Sequence, residues 1–225
     1  MNKRLQTMIK YIEPGRGFID VGTDHGYLPA WMAGHGYRGN IIASDINPGP
    51  LKKAEENAEK LGLEGRIKFL LCDGLEACPP NDVDTIIIAG MGGDMICRIL
   101  DMAEWCMDRR YKLILQPVTK AEILRYWLVN NEFEIFREEL VSDKGIVYQL
   151  LVARFGGKLK LNDAELFLGK KSLCSDPVLY EQQRTKLIQR FEAAVDGMEH
   201  SRQKGAGAPA LKLYRQILEE LRQLR

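Results

Sequence analysis

The stretch GFIDVGTDHGYLP, residues 17–29, joins a short apolar run to two glycines and the start of a helix. Residues 18–21 predict a buried strand, and Gly22 and Gly26 predict a tight turn in which the backbone can approach a ligand closely. A strand that passes through such a turn into a helix places backbone amides and the positive end of a helix dipole at the carboxyl edge of a sheet. Asp20, inside the strand, is expected to accept hydrogen bonds from the turn. This stretch therefore predicts the cradle of a nucleotide-like cofactor.

Strand-like and helix-like segments alternate on both sides of this stretch. Strands are predicted at residues 40–45, 66–71, 84–89 and 111–116, and helices at residues 4–12, 27–35, 48–61, 94–107 and 121–131. Two later strand-like runs, residues 133–141 and 146–155, are joined by SDKG, which predicts a hairpin. This order predicts an α/β fold with a Rossmann-like, seven-stranded sheet that is mostly parallel and has an antiparallel last strand.

The sequence changes character after residue 155, where the strand patterns end. A long helix is predicted after Ser175-Asp176-Pro177, followed by a break at residues 205–209 and a second helix, and the apolar spacing predicts a coiled-coil-like helical hairpin. We therefore expect two domains, residues 1–155 and 156–225. The first carries 19 Lys and Arg against 22 Asp and Glu, and the second carries 13 against 9. This basic excess favours contact with a polyanion, and a solvated helical face explains it equally well.

The overall composition excludes several classes of protein. The five cysteines include no C-x-x-C pair and the three histidines show no zinc-ligand spacing, so no metal is expected and the thiols should be reduced. Neither a signal peptide nor an apolar run of membrane-spanning length is found. With a net charge of +1, we expect a soluble cytoplasmic protein with no membrane partner. No protein partner is implied, and a monomer is expected.

Acidic residues after the second and third predicted strands indicate the cofactor. Asp45 lies 25 residues after Asp20 and can accept hydrogen bonds from both hydroxyls of a ribose. Asp73, followed by Gly74, can accept a hydrogen bond from the amino group of adenine. A nicotinamide site calls for G-x-G-x-x-G, and the turn at residues 22–26 lacks the third glycine. The pattern therefore favours S-adenosylmethionine, and the alternative is that both acids only cap loops at strand ends.

The loop after the fourth predicted strand, residues 89–93 (AGMGG), is expected to flank the reacting group. It carries no acid before Asp94, so the chemistry either needs no side-chain base here or takes one from elsewhere. The glycines imply close approach of the backbone to a flat ligand. Met91 either contacts a base through its polarizable side chain or only fills space in the core.

Three motifs resemble the bacterial tRNA adenine-N1 methyltransferase family: DVGTDHGYLP at residues 20–29, IAGMGG at residues 88–93 and the pair Gln116-Pro117, followed by the helical hairpin. The similarity covers essentially the whole chain, and the first two motifs together are specific. The resemblance implies a class I methyltransferase fold, S-adenosylmethionine as cofactor, and tRNA as substrate with methylation at N1 of adenine 22. It also implies a carboxy-terminal domain that holds tRNA.

The chemistry of the adenine N1 atom agrees with this resemblance. N1 carries an in-plane lone pair and needs no base before methyl transfer, so the enzyme must align the reacting atoms and tolerate the positive charge that moves onto the base. Asp24 is the acid expected to favour that charge, and the alternative is that it binds the amino group of the cofactor. His25 and Tyr27 are expected to touch or stack on the base. The alternative for His25 is that it only stands at the start of the helix and has no catalytic role.

These interpretations define an expected site. Cofactor contacts are expected from the turn and the strand ends, namely Asp20, Gly22, Thr23, His25, Gly26, Asp45, Ile46, Asp73, Gly74, Ala89 and Gly90. Catalytic roles are expected for Asp24, Tyr27 and Met91, and RNA contacts for Gly92, Gly93, Lys170, Lys171, Arg184 and Arg190. Two rival functions stay open. One is a methyltransferase for a small molecule or another RNA, in which the hairpin is only a lid or a dimer arm, and the other is a nucleotide sensor without enzymatic activity.

Overall fold

The computed structural model describes residues 3–201 and 208–224. The strands are β1 (Phe18–Val21), β2 (Ile41–Asp45), β3 (Lys68–Leu71), β4 (Thr85–Gly92), β5 (Lys112–Thr119), β6 (Phe133–Asp143) and β7 (Ile146–Phe155). The α-helices are α1 (Lys3–Ile9), α2 (Tyr27–Gly34), α3 (Pro48–Lys60), α4 (Gly93–Asp101), α5 (Ala121–Asn130), α6 (Asp163–Leu168), α7 (Pro177–Ser201) and α8 (Ala208–Gln223).

One seven-stranded sheet, in the order β3-β2-β1-β4-β5-β7-β6, organises the first of two compact units, Met1–Leu159. The first five strands are parallel, and β7 runs antiparallel to both β5 and β6. This confirms the predicted mostly parallel sheet with an antiparallel last strand. Because the strand order reverses between β1 and β4, the carboxyl ends of these two strands form the crevice at which such sheets bind ligands.

The central strands are apolar because both of their faces are covered. Every residue of β1 and β2 is buried, and Ile86, Ile87 and Ile88 of β4 are inaccessible to solvent. At the edge of the sheet, β3 exposes Lys68 and Leu71 at its two ends. The buried centre holds the carboxyl ends of β1, β2 and β4 in fixed positions beside one another.

Two boundaries near the fourth strand differ from the sequence prediction. β4 continues past the predicted end at residue 89 to Gly92, with register shifts against β5 on both sides of Met91. Such irregularities bend a strand and re-aim its side chains. The helix predicted at residues 94–107 is shorter and ends at Asp101. The predicted loop is therefore an irregular strand end that leads directly into α4.

The hairpin between β6 and β7 has a two-residue turn. Asp143 pairs with Ile146, and Lys144 and Gly145 have φ values of 50° and 80°. Positive φ at both central residues is the signature of a type I′ turn, whose twist matches that of the flanking strands. The four-residue connection predicted at residues 142–145 is correspondingly shorter in the structure.

A buried ion pair fastens this hairpin to α5. Arg125 of α5 and Glu138 of β6 are both buried, and Arg125 Nη2 donates to Glu138 Oε2 at 2.6 Å and to Gln149 Oε1 of β7 at 2.7 Å. Removing one partner of such a pair leaves an uncompensated buried charge, which costs about 3–5 kcal/mol. Sequence periodicity alone does not reveal this pair.

The second compact unit, Lys160–Arg225, contains α6, α7 and α8. The two long helices of the predicted hairpin are α7 and α8, and α6, which starts with a capping box, is an additional element. The rings of Phe167, Phe191 and Tyr214, one from each helix, meet edge to face with centroids 5.1 and 5.2 Å apart. Most of the break predicted at residues 205–209 lies outside the described residues.

Candidate active site

A cavity of about 370 Å³ lies at the carboxyl ends of β1, β2, β3 and β4. Its walls come from the turn after β1, the loops after β2 and β3, the irregular end of β4 and one side of α4. It therefore occupies the position at which the strand order of the sheet reverses. Of the residues expected in the site, it brings together Gly22, Asp45, Ile46, Asp73, Gly74, Ala89, Gly90 and Met91.

Two carboxylates stand on the wall of this cavity. Asp45, buried at the end of β2, accepts a hydrogen bond from the backbone amide of Asn47 at 2.8 Å through Oδ1. This bond fixes the carboxylate and leaves Oδ2 available to a ligand. Asp73, in the loop after β3, accepts a longer bond of 3.4 Å from Arg98 Nη2, and both side chains are partly exposed. The two acids expected to bind a nucleoside thus line the same cavity.

Apolar side chains form much of the remaining wall. Ile46, Met91, Met95 and Ile99 line the cavity, and Ile46 and Met95 are 58% and 44% exposed. Exposed apolar groups beside two carboxylates suit a ligand with a flat apolar ring, hydroxyl groups and an amino group. An adenine nucleoside has this composition, so the residues present fit the expected cofactor.

Sequence reasoning misses part of this wall. The additional lining residues are Val21, Asn47, Cys72, Met95, Arg98 and Ile99. Met95 and Ile99 are one helical turn apart in α4, so they project from the same side of the helix. This spacing, directly after the loop expected to flank the ligand, is the signal that could have identified them.

Backbone amides of the turn after β1 are bound to the neighbouring strand. The amides of Gly22 and Thr23 donate to the carbonyl of Ser44 in β2, at 2.8 and 2.9 Å. Asp20 Oδ2 accepts a hydrogen bond from the hydroxyl of Thr23 at 2.8 Å, where bonds from the turn amides were expected. Burial raises the pKa of Asp20 to about 7, against the lowering effect of this hydrogen bond and with a further rise from the charge of Asp45. Asp20 and Thr23 do not line this cavity and bond to each other within the turn. Their expected contacts with the cofactor stay predictions.

The glycines of residues 89–93 have two different roles. Gly90 has a φ of 81°, and nothing lies within 4 Å of the position that a Cβ would take, so it faces open space on the cavity wall. A Cβ on Gly92 would lie 2.6 Å from Asp94 Oδ1, and one on Gly93 would lie 2.1 Å from the carbonyl oxygen of Lys120. Packing inside the protein accounts for these two glycines, and their contact with RNA stays a prediction.

Asp24, His25, Gly26 and Tyr27 are not among the residues that line this cavity. Asp24 has a φ of 53° and a side chain that is 72% exposed, with Oδ1 3.7 Å from His25 Nε2. Gly26 packs against α3, since a Cβ there would lie 2.9 Å from Ala54 Cβ. Tyr27 is 58% exposed and lines a second cavity with residues of α1, α2 and α3. Their expected contacts with cofactor or base stay predictions.

Two of the basic residues expected to contact RNA are engaged within the second unit. Lys171 Nζ lies 3.1 Å from Glu181 Oε1, and Arg184 Nε lies 2.7 Å from Glu181 Oε2. The hydrogen bonds from Arg184 and Lys171 lower the pKa of Glu181. Within the described residues, no ion pair involves Lys170 or Arg190. Of the four basic residues expected to contact RNA, these two are therefore available to an external anion.

Neither a metal cluster nor a membrane-spanning helix occurs in the described part of the chain. No three His, Cys, Asp or Glu side chains of residues 3–201 and 208–224 are grouped so that they could hold a metal ion. In the same residues, no helix combines the length and the apolar character needed to cross a bilayer.

Comparison with known proteins gives matches over both units. A family model described as a methyltransferase domain matches residues 1–151. A curated tRNA (adenine(22)-N(1))-methyltransferase from Bacillus subtilis (strain 168) is 36% identical over 158 residues, which cover 70% of this chain and 66%, just under two thirds, of that protein. The crystal structure of the B. subtilis m1A22 tRNA methyltransferase TrmK aligns with 99% of this chain and 94% of that chain, at 30% identity and a TM-score of 0.80. Streptococcus pneumoniae Sp1610, in complex with S-adenosyl-L-methionine, aligns with 97% of this chain and 99% of that chain, at 31% identity and a TM-score of 0.80.

Proposed function

The chain belongs to the tRNA (adenine(22)-N(1))-methyltransferase family, and from this membership we propose that it transfers the methyl group of S-adenosyl-L-methionine to N1 of adenine 22 in tRNA. The observation that carries the proposal is the cavity at the strand ends, where Asp45, Asp73 and the open backbone at Gly90 meet after β2, β3 and in β4. The names of the relatives support it, since the Bacillus protein is named for this reaction and the Streptococcus protein binds this cofactor.

S-adenosyl-L-methionine supplies an electrophilic methyl group on its sulfonium centre. In this chain Asp45 would hold the ribose hydroxyls through Oδ2, because Oδ1 is already occupied by the amide of Asn47. Asp73 would accept a hydrogen bond from the adenine amino group. Its contact with Arg98 is long, at 3.4 Å, and a carboxylate can accept several hydrogen bonds at once. Ile46 and the apolar side of α4 would cover the adenine ring.

The chain needs no general base for this reaction, because N1 of adenine is unprotonated at neutral pH and carries an in-plane lone pair. This agrees with the end of β4, where the first acid is Asp94. Lys120 Nζ lies 2.5 Å from Asp94 Oδ2, and the hydrogen bond from Lys120 lowers the pKa of Asp94. Asp94 therefore stays ionised and is a poor candidate for moving a proton near pH 7. What the chain must supply is alignment and tolerance of positive charge on the base.

We assign the stabilisation of that positive charge to Asp24. Its exposed carboxylate projects from the cofactor turn, with a backbone in the left-handed region. Asp24 lies outside the cavity that would hold the nucleoside, and its exposed carboxylate is open to a base that approaches the turn; the amino group in the methionine part of the cofactor is the alternative partner. An anion near the methylated ring favours the cationic product and the transition state that leads to it.

Adenine 22 must leave its stack to reach the cavity, at a cost of a few kcal/mol. We propose that the helical unit, Lys160–Arg225, contributes contacts with tRNA phosphates, since proteins recognise folded RNA largely through its shape and backbone. Lys170 and Arg190 are better candidates than Lys171 and Arg184, which both pair with Glu181. The proposal makes tRNA the partner and the cytoplasm the compartment, and it calls for neither a metal ion nor a protein partner.

Transfer of tritium from labelled S-adenosylmethionine to tRNA tests the proposal. The protein is incubated with unmodified transcripts that carry A or G at position 22, and the labelled nucleoside is identified after digestion. We expect 1-methyladenosine, and only from the A22 transcripts. Label at another position would keep the enzyme class and refute the assigned target. Cofactor binding without any label on RNA would refute a tRNA substrate and favour a small molecule or a sensor.

A further inference from the structure

Three aromatic residues follow one another along one side of α2. Tyr27, Trp31 and His35 are four residues apart, which puts them on the same helix face. Tyr27 and His35 are exposed, and Trp31 is half-buried. The rings of Trp31 and His35 are stacked, with centroids 3.9 Å apart and planes inclined by 19°. A bond of 2.8 Å between His35 Nδ1 and the carbonyl of Trp31 holds this stack in place.

The three rings line a cavity of about 550 Å³, together with Leu5 of α1 and with Asn57 and Leu61 beside them. We call this cavity the aromatic groove. Its lining residues do not overlap with those of the cofactor cavity. The groove nevertheless adjoins the cofactor turn, because Tyr27 directly follows Gly26 and Asn57 Nδ2 donates to the carbonyl of His25 at 3.2 Å.

We propose that the aromatic groove binds unpaired nucleobases of the tRNA on nucleotides that flank the target adenine. This inference rests on the proposed function, which makes RNA the substrate. When the target adenine is extruded, the neighbouring bases lose a stacking partner. Aromatic side chains replace that partner for any base, since every base has a π-face. A stacking surface beside the cofactor turn would therefore lower the cost of extrusion.

The rings of the groove are held in two pairs. The Trp31 indole stacks on His35, and the Tyr27 ring lies 5.3 Å from that of His25, while no ring contact joins Tyr27 and Trp31 among the described residues. The faces of Tyr27 and Trp31 that these pairs do not use are the ones on which a base would stack. Asn57 uses its Nδ2 within the protein, which leaves Oδ1 to accept a hydrogen bond from an exocyclic amino group. The groove thus offers both stacking and an edge contact.

Two lysines of α3 add positive charge beside the groove. Lys53 and Lys60, both exposed, share a helix face with Asn57 and with the exposed Glu56, which leaves this face one net positive charge. No ion pair within the described residues involves either lysine. Lys52, also exposed, points about 100° away from Lys53. Planar rings next to unpaired cations match a ligand with bases and phosphates. A second copy of this chain fits less well, because an isologous contact would bring the same lysines together.

Substitution of the central ring tests this proposal. Trp31→Leu removes the indole, and Tyr126→Leu removes a tyrosine of α5 that is 60% exposed and lies outside the groove, which makes it the matched control. Affinity for an unmodified tRNA transcript is measured by filter binding, and affinity for S-adenosylhomocysteine by calorimetry. We expect Trp31→Leu to weaken RNA binding about 5- to 150-fold without changing affinity for S-adenosylhomocysteine. Tyr126→Leu should leave both affinities unchanged. Trp31→Phe, which keeps a ring, should fall between wild type and Trp31→Leu, and this distinguishes lost stacking from misfolding.

The two lysines beside the aromatic groove have their own test. The double variant Lys53→Ala, Lys60→Ala should reduce the slope of log Kd against log salt concentration by about 1.4 to 1.8, the value for two phosphate contacts. Lys52→Ala, the matched control, should leave the slope unchanged. An equal slope in wild type and the double variant would remove these lysines from the RNA interface and overturn the argument for RNA as occupant.

Two outcomes overturn the groove assignment. One is equal RNA affinity of wild type and Trp31→Leu. The other is a wild-type dimer in sedimentation velocity that Trp31→Leu dissociates, which would make the groove a contact between copies. Neither outcome depends on turnover. Transcripts that bind but are not methylated at position 22 would refute the proposed function, while a loss of RNA affinity in Trp31→Leu would still support the groove.

Discussion

The substitution Asp45→Asn tests the cofactor cavity at its best-defined contact. Asp45 is buried, and its Oδ1 accepts the backbone amide of Asn47 at 2.8 Å. An asparagine oxygen can keep this hydrogen bond, so the loop after β2 should keep its shape. The amide nitrogen then takes the place of Oδ2 and presents a neutral donor where the ligand meets a charged acceptor. The variant therefore alters the ligand contact and spares the loop.

The expected loss follows from the number of hydrogen bonds that change character. A hydrogen bond to a charged group contributes about 1.5–3 kcal/mol, and one between neutral groups about 0.5–1.5 kcal/mol. The difference is about 1 kcal/mol for each ribose hydroxyl and roughly 2 kcal/mol for the pair. This corresponds to an affinity for the cofactor that is about 30-fold weaker.

Isothermal titration calorimetry with S-adenosylhomocysteine measures this loss. Asp143→Asn, at the turn between β6 and β7, removes the same charge at a residue that does not line the cavity and should bind like wild type. Thermal unfolding of each variant establishes that the fold is intact. If Asp45→Asn has an unchanged melting temperature and binds within about threefold of wild type, the assignment of Asp45 to the ribose is refuted. A parallel loss of tRNA affinity, measured without cofactor, would contradict the separation of the two sites.

Three further substitutions probe the neighbouring residues. Gly93→Ala should lower the free energy of unfolding by about 2 kcal/mol, or the melting temperature by about 4–8 °C, because its Cβ would lie 2.1 Å from the carbonyl oxygen of Lys120. Gly49→Ala, whose Cβ would enter open space, should leave the melting temperature unchanged. Equal melting temperatures of the two variants would contradict this reasoning. Burial raises the pKa of Asp20 from 3.8 to about 7, so folding takes up a proton and the free energy of unfolding falls as pH rises between these values. Asp20→Asn should remove that dependence. In urea unfolding, the difference in free energy of unfolding between Asp20→Asn and wild type should therefore rise by up to about 4 kcal/mol in favour of the variant between about pH 4 and pH 8. Parallel pH profiles of the two proteins would refute this prediction. Asp24→Asn should lower kcat about 10-fold or more at saturating cofactor, with unchanged affinity for S-adenosylhomocysteine, whereas a change confined to that affinity would assign Asp24 to the cofactor.

The fold and the acidic part of the site could be predicted because they depend on local patterns and on topology. β1 is predicted and observed at residues 18–21, since a short apolar run between glycines has few other interpretations. Asp45 ends β2 and Asp73 follows β3, two adjacent parallel strands whose carboxyl ends meet at one edge of the sheet. Their presence in one cavity follows from strand order alone and requires no knowledge of side-chain packing.

Other features depend on neighbours that are distant in sequence. Gly93 is constrained by the carbonyl of Lys120, which belongs to a different strand and helix junction. Lys171 and Arg184 resemble free cations in the sequence, yet both pair with Glu181. A glycine or a lysine has the same letter whether its partner is the protein itself or a ligand. Only the three-dimensional arrangement separates the two cases.

The helix α2 shows how a correctly predicted element can still conceal a surface. Its sequence, YLPAWMAG, is apolar almost throughout, which is typical of a helix buried on all sides. In the fold Leu28 and Met32 are buried, whereas Tyr27 is exposed and Trp31 only half-buried. Exposed aromatic surface of this kind is unfavourable in water unless a partner covers it. The two sides of α2 therefore differ in what a substitution should change.

A substitution on the inner side should affect stability alone. Met32→Ala is expected to lower the free energy of unfolding by about 2–5 kcal/mol, because it leaves a cavity in the core, and the folded fraction should bind RNA like wild type. Trp31→Leu, on the outer side, is expected to lose RNA affinity and, because its half-buried indole also packs against the core, to melt between wild type and Met32→Ala. If Trp31→Leu instead melts as far below wild type as Met32→Ala and keeps its RNA affinity, the indole belongs to the core and α2 has no outer binding face.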